Sequence, residues 1–142
     1  MSGPSVFLFV HVICTVRGRE KLLAKPVRKV LFIHMQKEGE VKGLKILAAN
    51  GVDDHMHLLV QLMPAQNLAQ VVRSIRAASS DWLNENRLLT TTFEWEEDYF
   101  ALSVSPSSVK QVKDFIENQE EHHKVKHLDA ELEAFVRLKE QI

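Results

Sequence analysis

The sequence DDHMHLLVQL, residues 53–62, alternates in side-chain character in the way that a β-strand does. In a strand, residues two positions apart point to the same face, so His55 and His57 would lie side by side. The opposite face would be apolar and would consist of Met56, Leu58, Val60 and Leu62. The stretch therefore predicts a strand that packs on a core and offers two imidazoles to one ion. Two ligands hold a metal poorly, so a third donor is needed from elsewhere.

Turn and cap signals divide the remaining sequence into further strands and helices. Asn-Gly at residues 50–51 predicts a hairpin turn before the histidine strand, and Asn67 and Ser105-Pro106 predict helix starts. The predicted elements are a strand at 6–16, a helix at 26–39, strands at 41–49 and 55–63, a helix from 67, a strand at 99–104, a helix from 105 that includes 119, and a short final helix from about 129.

This order of elements predicts the fold class. A β-α-β-β-α-β order is typical of a ferredoxin-like α+β fold, in which helices cover one side of an antiparallel sheet. Extra helices would follow at the C-terminal end. No repeat, low-complexity segment or linker interrupts the sequence, and we therefore expect residues 1–142 to form a single domain.

The composition is that of an ordinary globular protein, with 45% hydrophobic and 26% charged residues. The only cysteine, Cys14, excludes an internal disulfide and suits a reducing compartment. The longest apolar stretch, residues 6–16, is too short to span a bilayer and lacks the flanks of a signal peptide. We expect a cytoplasmic protein that does not contact a membrane.

Charge is distributed unevenly although the net charge is only −1. Residues 1–50 contain nine Lys or Arg and three Asp or Glu, whereas residues 93–142 contain six and twelve. This asymmetry is compatible with a basic face that contacts phosphate, although ordinary surface charge explains any single residue equally well. The candidate phosphate-binding residues are Arg17, Arg19, Lys21, Lys25, Arg28, Lys29, Arg73 and Arg76.

The histidine motif and a second motif, VKDFIENQEEHH at residues 112–123, together resemble a known family. They are similar to motifs of the single-strand DNA transposases of small bacterial insertion sequences, including the relatives associated with repeated extragenic hairpins. The segments that follow the same order as in that family are HVICTVRGREKLL (11–23), LAQVVRSIRAASSDWL (68–83), FEWEEDYFALSVSPSSV (93–109) and the terminal helix.

The resemblance implies a metal-dependent site. Its metal ligands would be His55, His57 and Gln119, and the cofactor would be Mg²⁺ or Mn²⁺ acting on a phosphate oxygen as a Lewis acid. His122 would extend the same helical stripe and could assist the metal or bind phosphate. The implied partners are a single-stranded DNA hairpin and a second copy of the chain, with the helix of one copy reaching the histidines of the other.

Phe115 occupies the position at which the family has its nucleophilic tyrosine. Phenylalanine has no hydroxyl group and cannot form a phosphotyrosine, so the resemblance implies a chain that is deficient in cleavage. The substitution is either engineered or a natural loss, and Phe115 could also be simply a core residue. Tyr99, the only tyrosine, is a poor substitute because it lies on the last predicted strand, where it would pack, as would Trp82 and Trp95.

Two other classes of function stay open from the residues alone. A non-catalytic regulator would bind DNA hairpins through the same basic surface, and Phe115 favours this alternative. A histidine phosphoesterase would use His55 and His57 directly, but the usual third histidine of that motif is absent.

Overall fold

A computed structural model describes residues 5–119, 137–138 and 140–141 of the chain. The helices and strands, in chain order, are β1 (Leu8–Val16), α1 (Lys25–Val41), β2 (Lys45–Gly51), β3 (His55–Leu62), α2 (Leu68–Glu85), β4 (Trp95–Val104) and α3 (Val109–Glu117). Short 3-10 turns follow β1 and precede α3. Within these described residues, no helix combines the length and the apolar character that crossing a membrane would require.

The four strands form one antiparallel sheet in the order β2-β3-β1-β4. This is the arrangement of the ferredoxin-like α+β fold, and the predicted fold class is confirmed. The histidine strand β3 lies in the interior of the sheet, paired with β1 on one side and β2 on the other. Both central strands have apolar residues on both faces because both faces are covered.

Helices α1 and α2 cover one face of the sheet and enclose the main core. Their buried stripes include Leu31 and Met35 on α1 and Val72 and Ile75 on α2. These side chains belong to the same buried cluster as Met56, Leu58 and Val60 of β3 and alternate residues of β1. The apolar face predicted for the histidine strand is thus the face that carries the core.

Helix α3, one of the extra C-terminal helices expected after the ferredoxin-like core, lies on the opposite face of the sheet from α1 and α2. Its buried Ile116 packs with Leu59 and Ala48 in a second, smaller cluster. Leu59 follows Leu58 in β3 and therefore points to the other face of the sheet. The α3 face is the face that His55 and His57 share, so α3 covers the candidate site.

The boundary between α1 and β2 differs from the predicted one, since Val41 is the last residue of α1 and not the first of a strand. Gly43 adopts a positive φ of 74°, and its N–H donates to the carbonyl of Glu40, while Leu44 N–H donates to the carbonyl of Gly39. These two bonds form a Schellman motif, which satisfies the last carbonyls of the helix. The capping requirement outweighed the β-branched character of Val41.

The turn between β2 and β3 also differs from the prediction, because Asn50 and Gly51 belong to β2 and pair with His57 and Met56. Residues 52–54 make the connection instead. A side chain on Gly51 would place its Cβ 2.2 Å from the carbonyl oxygen of His55. The glycine is therefore needed for close approach of two backbones and not for a turn with positive φ.

Strand β4 begins at Trp95, four residues earlier than predicted. Trp95 pairs with Val16 and is buried, and its indole N–H donates to Ser79 Oγ at 2.9 Å. Packing against α2 extends the strand through a segment rich in acidic residues, which local propensity alone does not favour. The predicted final helix from about residue 129 lies almost wholly outside the described residues.

Candidate active site

The histidine pair lies at the start of β3, on the face of the sheet that α3 covers. His55 and His57 point to the same face, as the alternation predicted, and each is 0% exposed. His57 pairs with Ile13 of β1 and Asn50 of β2, and His55 pairs with Thr15. Pairing on a central strand therefore fixes the backbone under both imidazoles.

Phe115 lies on the inner side of α3, beside the histidines of the same chain. Its ring packs edge-on against His57, with centroids 5.8 Å apart and an interplanar angle of 77°. The side chain of Asn50 donates through Nδ2 to the carbonyl oxygen of Glu117 at 2.9 Å, which ties the end of α3 to β2. The structure thus brings the residue at the nucleophile position together with the histidine pair.

Gln119 is also buried, but it lies beyond the end of the helix that was expected to carry it. Helix α3 ends at Glu117 and is capped by Asn118, whose side chain donates to the carbonyl of Asp114 at 2.8 Å. Gln119 is 0% exposed, and its Nε2 donates to the carbonyl of Phe115 at 3.2 Å.

The amide oxygen of Gln119 has no hydrogen-bond partner among the described residues. A buried polar atom without a partner costs about 1–3 kcal/mol, so such an atom calls for an explanation. A bound cation would supply one, because amide oxygens and imidazole nitrogens are both ligands for divalent ions. Residues 5–119 contain no group of three His, Cys, Asp or Glu arranged to hold a metal. The donors that the resemblance implies are two imidazoles and one amide.

Both candidate ligand rings use the same nitrogen for a hydrogen bond within the chain. His55 Nδ1 lies 2.7 Å from Asp54 Oδ1, and His57 Nδ1 lies 2.8 Å from His11 Nε2. Partners of this kind hold a metal-binding imidazole in one orientation and one tautomer. With Nδ1 so engaged, Nε2 is the nitrogen through which each ring would coordinate an ion.

The environment of Asp54 favours its charged form. Burial alone would raise the pKa of this carboxyl group, but the hydrogen bond and charge of His55, assisted by Arg19, outweigh it and hold the pKa below its ordinary value. Asp54 is thus an ionised acceptor for the Nδ1–H of His55. This carboxylate therefore contacts the Nδ1 side of the His55 ring.

His11 is the residue of the site that sequence reasoning missed. It interrupts an apolar strand, and its ring centroid lies 5.1 Å from that of His57. The signal was a lone histidine within the apolar strand predicted at residues 6–16. Its partner could not be identified without the register that places His11 opposite Leu59 and diagonal to His57.

Six of the eight candidate phosphate-binding residues line two surface clefts of different charge. The first cleft contains Arg17, Arg73 and Arg76 together with Glu94, Glu96 and Glu97, so its formal charges cancel. Arg17 pairs with Glu94, whose hydrogen bond and charge raise the pKa of the guanidinium. Arg76 donates to the carbonyls of Glu96 and Glu97 and lies 5.1 Å from the Tyr99 ring centroid. Arg17 and Arg76 thus make structural contacts in this cleft.

The second cleft is basic and reaches the edge of the candidate active site. It has a volume of ≈ 330 Å³ and is lined by Lys25, Arg28, Lys29, Phe32, Asn50 and Glu117. Asn50 pairs with His57, and Glu117 is the last residue of α3. Arg19 and Lys21 are exposed on the segment that leads into α1. We call this cleft the α1 cleft. Its lining has three cationic residues and one acidic residue, so it is more favourable for phosphate than the first cleft.

The other aromatic residues singled out in the sequence pack away from the histidines. Tyr99 pairs with Cys14, so it lies on the α1 and α2 face of the sheet and cannot reach the histidine pair. Trp82 stacks on His34 with centroids 4.3 Å apart, and Trp95 is buried. The expectation that these three residues pack is confirmed. His122, the further candidate, lies outside the described residues.

Comparison with known proteins assigns the family. The model of the IS200-like transposase family matches residues 6–119. The chain belongs to the IS200-like transposases. It is 25% identical over 114 residues to the ISDra2 transposase TnpA of Deinococcus radiodurans, an alignment that covers 77% of this chain and 81% of that protein.

Two solved structures share the fold of this IS200-like transposase. The crystal structure of a Deinococcus radiodurans protein assigned as a transposase superposes with a TM-score of 0.67 at 24% identity, covering 84% of this chain and 95% of the other. A REP-associated tyrosine transposase bound to a REP hairpin superposes with a TM-score of 0.58 at 14% identity, covering 83% and 72%. At these identities the likeness concerns the fold. The family itself is one of DNA-cleaving transposases.

Proposed function

We propose that this IS200-like transposase binds single-stranded DNA hairpins and a divalent cation, Mg²⁺ or Mn²⁺, at a site that lacks its attacking group. The cation would be held by His55, His57 and Gln119. The observation that carries the proposal is the buried Gln119 amide oxygen without a partner in the described chain, four residues after Phe115, whose ring packs against the buried His57. When bound, such an ion would polarise a phosphate oxygen as a Lewis acid.

The DNA partner follows from family membership and from the α1 cleft. A structural relative was solved with a REP hairpin, and the α1 cleft has three cationic residues and one acidic residue at the edge of the histidine site. Phosphate contacts supply most of the affinity of proteins for nucleic acid. A strand whose backbone lies in this cleft would have a phosphate near Asn50 and His57.

Phe115 is the reason why the proposed site would not cleave DNA. In a tyrosine mechanism the phenol oxygen attacks phosphorus, a phosphotyrosine forms at the 5′ end, and the 3′ oxygen leaves and takes a proton. Phe115 is half-buried and its ring packs against His57, which supports the proposal that this residue takes the place of the attacking tyrosine without an oxygen to carry out the attack. The chain would therefore bind DNA and leave it uncleaved.

A covalent adduct is the direct test. We expect Phe115→Tyr to form a denaturant-stable protein–DNA adduct with a hairpin substrate and Mn²⁺, and the unaltered chain to form none. The matched control is Phe115→Tyr combined with His57→Ala, which keeps the phenol and removes a proposed ligand. An adduct in the unaltered chain, or an undiminished adduct in the control, would contradict the proposal.

The binding-only regulator is the second candidate function, and the placement of Phe115 favours it. If Phe115→Tyr binds hairpins but never forms the adduct, the chain lacks more of the cleavage machinery than the tyrosine hydroxyl. The regulatory role is then preferred. The phosphoesterase alternative is disfavoured by the IS200-like family model, which matches residues 6–119 and so includes His55 and His57. The homodimer stays a prediction.

A further inference from the structure

His11 stands out among the residues of β1 because it is a half-buried imidazole on a strand whose inner residues are apolar or buried. Its ring lies against two members of the site. It hydrogen-bonds with His57, with 2.8 Å between Nε2 and Nδ1, and it packs edge-on against Phe115 with centroids 6.1 Å apart. One side chain therefore contacts both a proposed ligand and the residue at the nucleophile position.

The hydrogen bond between the two rings restricts the tautomer of each. A neutral imidazole has one N–H donor and one acceptor nitrogen, so exactly one of the two facing nitrogens carries a proton. If His57 coordinates through Nε2, the lone pair must be on Nε2 and the proton on Nδ1. His57 Nδ1–H would then donate to His11 Nε2, and His11 would carry its own proton on Nδ1.

The neighbouring ligand has the same arrangement with a different acceptor. His55 Nδ1 faces the Asp54 carboxylate at 2.7 Å. Each proposed ligand ring thus has an acceptor at Nδ1. For His55 it is the adjacent residue Asp54, and for His57 it is His11 on the neighbouring strand β1. Acceptors in this position fix ring orientation and raise ligand basicity.

We propose that His11 is a positioning residue that holds His57 in the Nδ1–H tautomer and aims its Nε2 at the cation. This role rests on the proposed function, because it concerns a ligand of the proposed site. In this role His11 is a third imidazole near the cation, but it does not coordinate the cation itself. It also places the ring of residue 115 by edge-on contact.

Two substitutions separate this role from a merely structural one. His11→Gln keeps an acceptor, its amide oxygen, at the reach of Nε2, whereas His11→Phe keeps a ring and removes the acceptor. We expect His11→Phe to weaken Mn²⁺ binding by about 10- to 100-fold and His11→Gln to retain most of it. Mn²⁺ binding is measured by electron paramagnetic resonance. The control is His34→Phe, at a histidine that stacks on Trp82 on the other side of the sheet.

The tautomer itself gives a second readout that does not need the metal. Two-bond ¹H–¹⁵N correlation of the metal-free protein should show His57 protonated at Nδ1 in the unaltered chain and in His11→Gln. In His11→Phe the Nε2–H form should appear. A His57 protonated at Nε2 in the unaltered chain would overturn the proposal, as would unchanged Mn²⁺ affinity in His11→Phe.

The outcomes also distinguish failure of this role from failure of the proposed function. If the unaltered chain binds no Mn²⁺, the cation site is wrong and the positioning role falls with it. If the unaltered chain binds Mn²⁺ and the hyperfine couplings to nitrogen show three imidazole ligands, the cation site stands but His11 is a ligand. If it binds Mn²⁺ with the same affinity in both His11 variants, only the role of His11 is lost.

Discussion

At the scale of single residues, the two faces of the central strands set the chemistry of neighbouring side chains. Cys14 points into the main core and is 1% exposed, whereas Ile13 and Thr15, its neighbours in β1, pair with the histidine residues of β3. One step along a strand therefore separates an apolar core from a polar site. The same alternation keeps Tyr99 on the core face and away from His57.

The thiol of Cys14 provides a prediction at this scale. Burial raises its pKa from 9.0 to about 12, while the positive charge of Arg76 opposes the shift. Because the folded-state pKa lies above the unfolded one, the thiol stabilises the fold fully below pH 9 and loses this contribution as the pH rises toward about 12. At pH 9 roughly a thousandth of the folded thiol would be ionised.

We expect Cys14 to resist alkylation by iodoacetamide at pH 9 in the folded protein and to react promptly in urea, because the thiolate is the reactive form. Mass spectrometry of the single cysteine measures both rates. Equal rates with and without urea would show that Cys14 is accessible and that β1 is not packed as described.

Residue identity and strand alternation predicted part of the site. They placed His55 and His57 on one face, and the family motif supplied Gln119 and Phe115. His11 could not be predicted because its role depends on the register between β1 and β3, which joins residues 46 positions apart. Asp54 stood next to the motif, but its hydrogen bond depends on a side-chain rotamer that a sequence does not specify.

At the scale of elements, α3 covers the sheet face that carries His55 and His57, and contacts with β2 and β3 hold it there. Ile116 is fully buried against Leu59 and Ala48, and Asn50 donates to the carbonyl of Glu117. The apolar contact fixes the helix against the sheet, and the amide fixes its C-terminal end. Gln119 follows two residues later, so its position depends on that end.

Asn50 therefore allows a test of how α3 is anchored. Asn50→Ala should remove the donor to Glu117 and destabilise the attachment of α3 by about 1 kcal/mol, which corresponds to roughly fivefold faster amide exchange in that helix. Hydrogen exchange measured by NMR would show the change in α3 and not in α2. Mn²⁺ affinity should fall with it, since Gln119 is released.

A matched control exists in α2. The side chain of Asn86 donates to the carbonyl of Trp82 at 2.8 Å, so Asn86→Ala removes a comparable bond from the end of the other helix. It should speed exchange near the end of α2 and leave Mn²⁺ binding unchanged. If Asn50→Ala leaves exchange in α3 unchanged, the apolar contacts around Ile116 anchor the helix without the Asn50 bond.

The order and type of the elements were predictable, whereas their boundaries depended on tertiary contacts. Periodicity identified β3 and α2, whose Asn67 side chain accepts the predicted capping bond from Gln70 N–H. Helix α1 extended to Val41 because of its Schellman cap, and β4 extended to Trp95 because of the Ser79 contact. Neither contact is visible in a local window of sequence.

At the scale of the whole molecule, the charge asymmetry gives a prediction for DNA binding. The α1 cleft contains Lys25 and Lys29 at the start of α1, while Lys37 and Lys42 lie toward its other end. We expect Lys25→Ala with Lys29→Ala to weaken hairpin binding and to reduce the slope of log K against log salt by about 1.4, at about 0.7 for each lost contact with a single strand.

Lys37→Ala with Lys42→Ala is the matched control, since it removes the same charge from the other end of α1 and its C-cap. It should leave the slope unchanged. Fluorescence anisotropy of a labelled hairpin across a salt series measures both variants. Equal slope changes in the two double variants would show that net charge, and not the α1 cleft, attracts the DNA.

Assembly of the site from one chain or two can be decided by mixing two defective variants. His57→Ala lacks a proposed ligand on the sheet, and Gln119→Ala lacks the proposed ligand that follows α3. In the described chain, Phe115 packs on His57 of the same chain and α3 is tied to its own β2. We therefore expect that neither variant binds Mn²⁺ tightly and that their mixture does not either.

If α3 instead reached the histidines of a second copy, as the resemblance implies for a homodimer, a mixed dimer would combine an intact sheet with an intact Gln119. Mn²⁺ titration of the mixture, after unfolding and refolding together, would then recover part of the binding and show that the site is shared between copies.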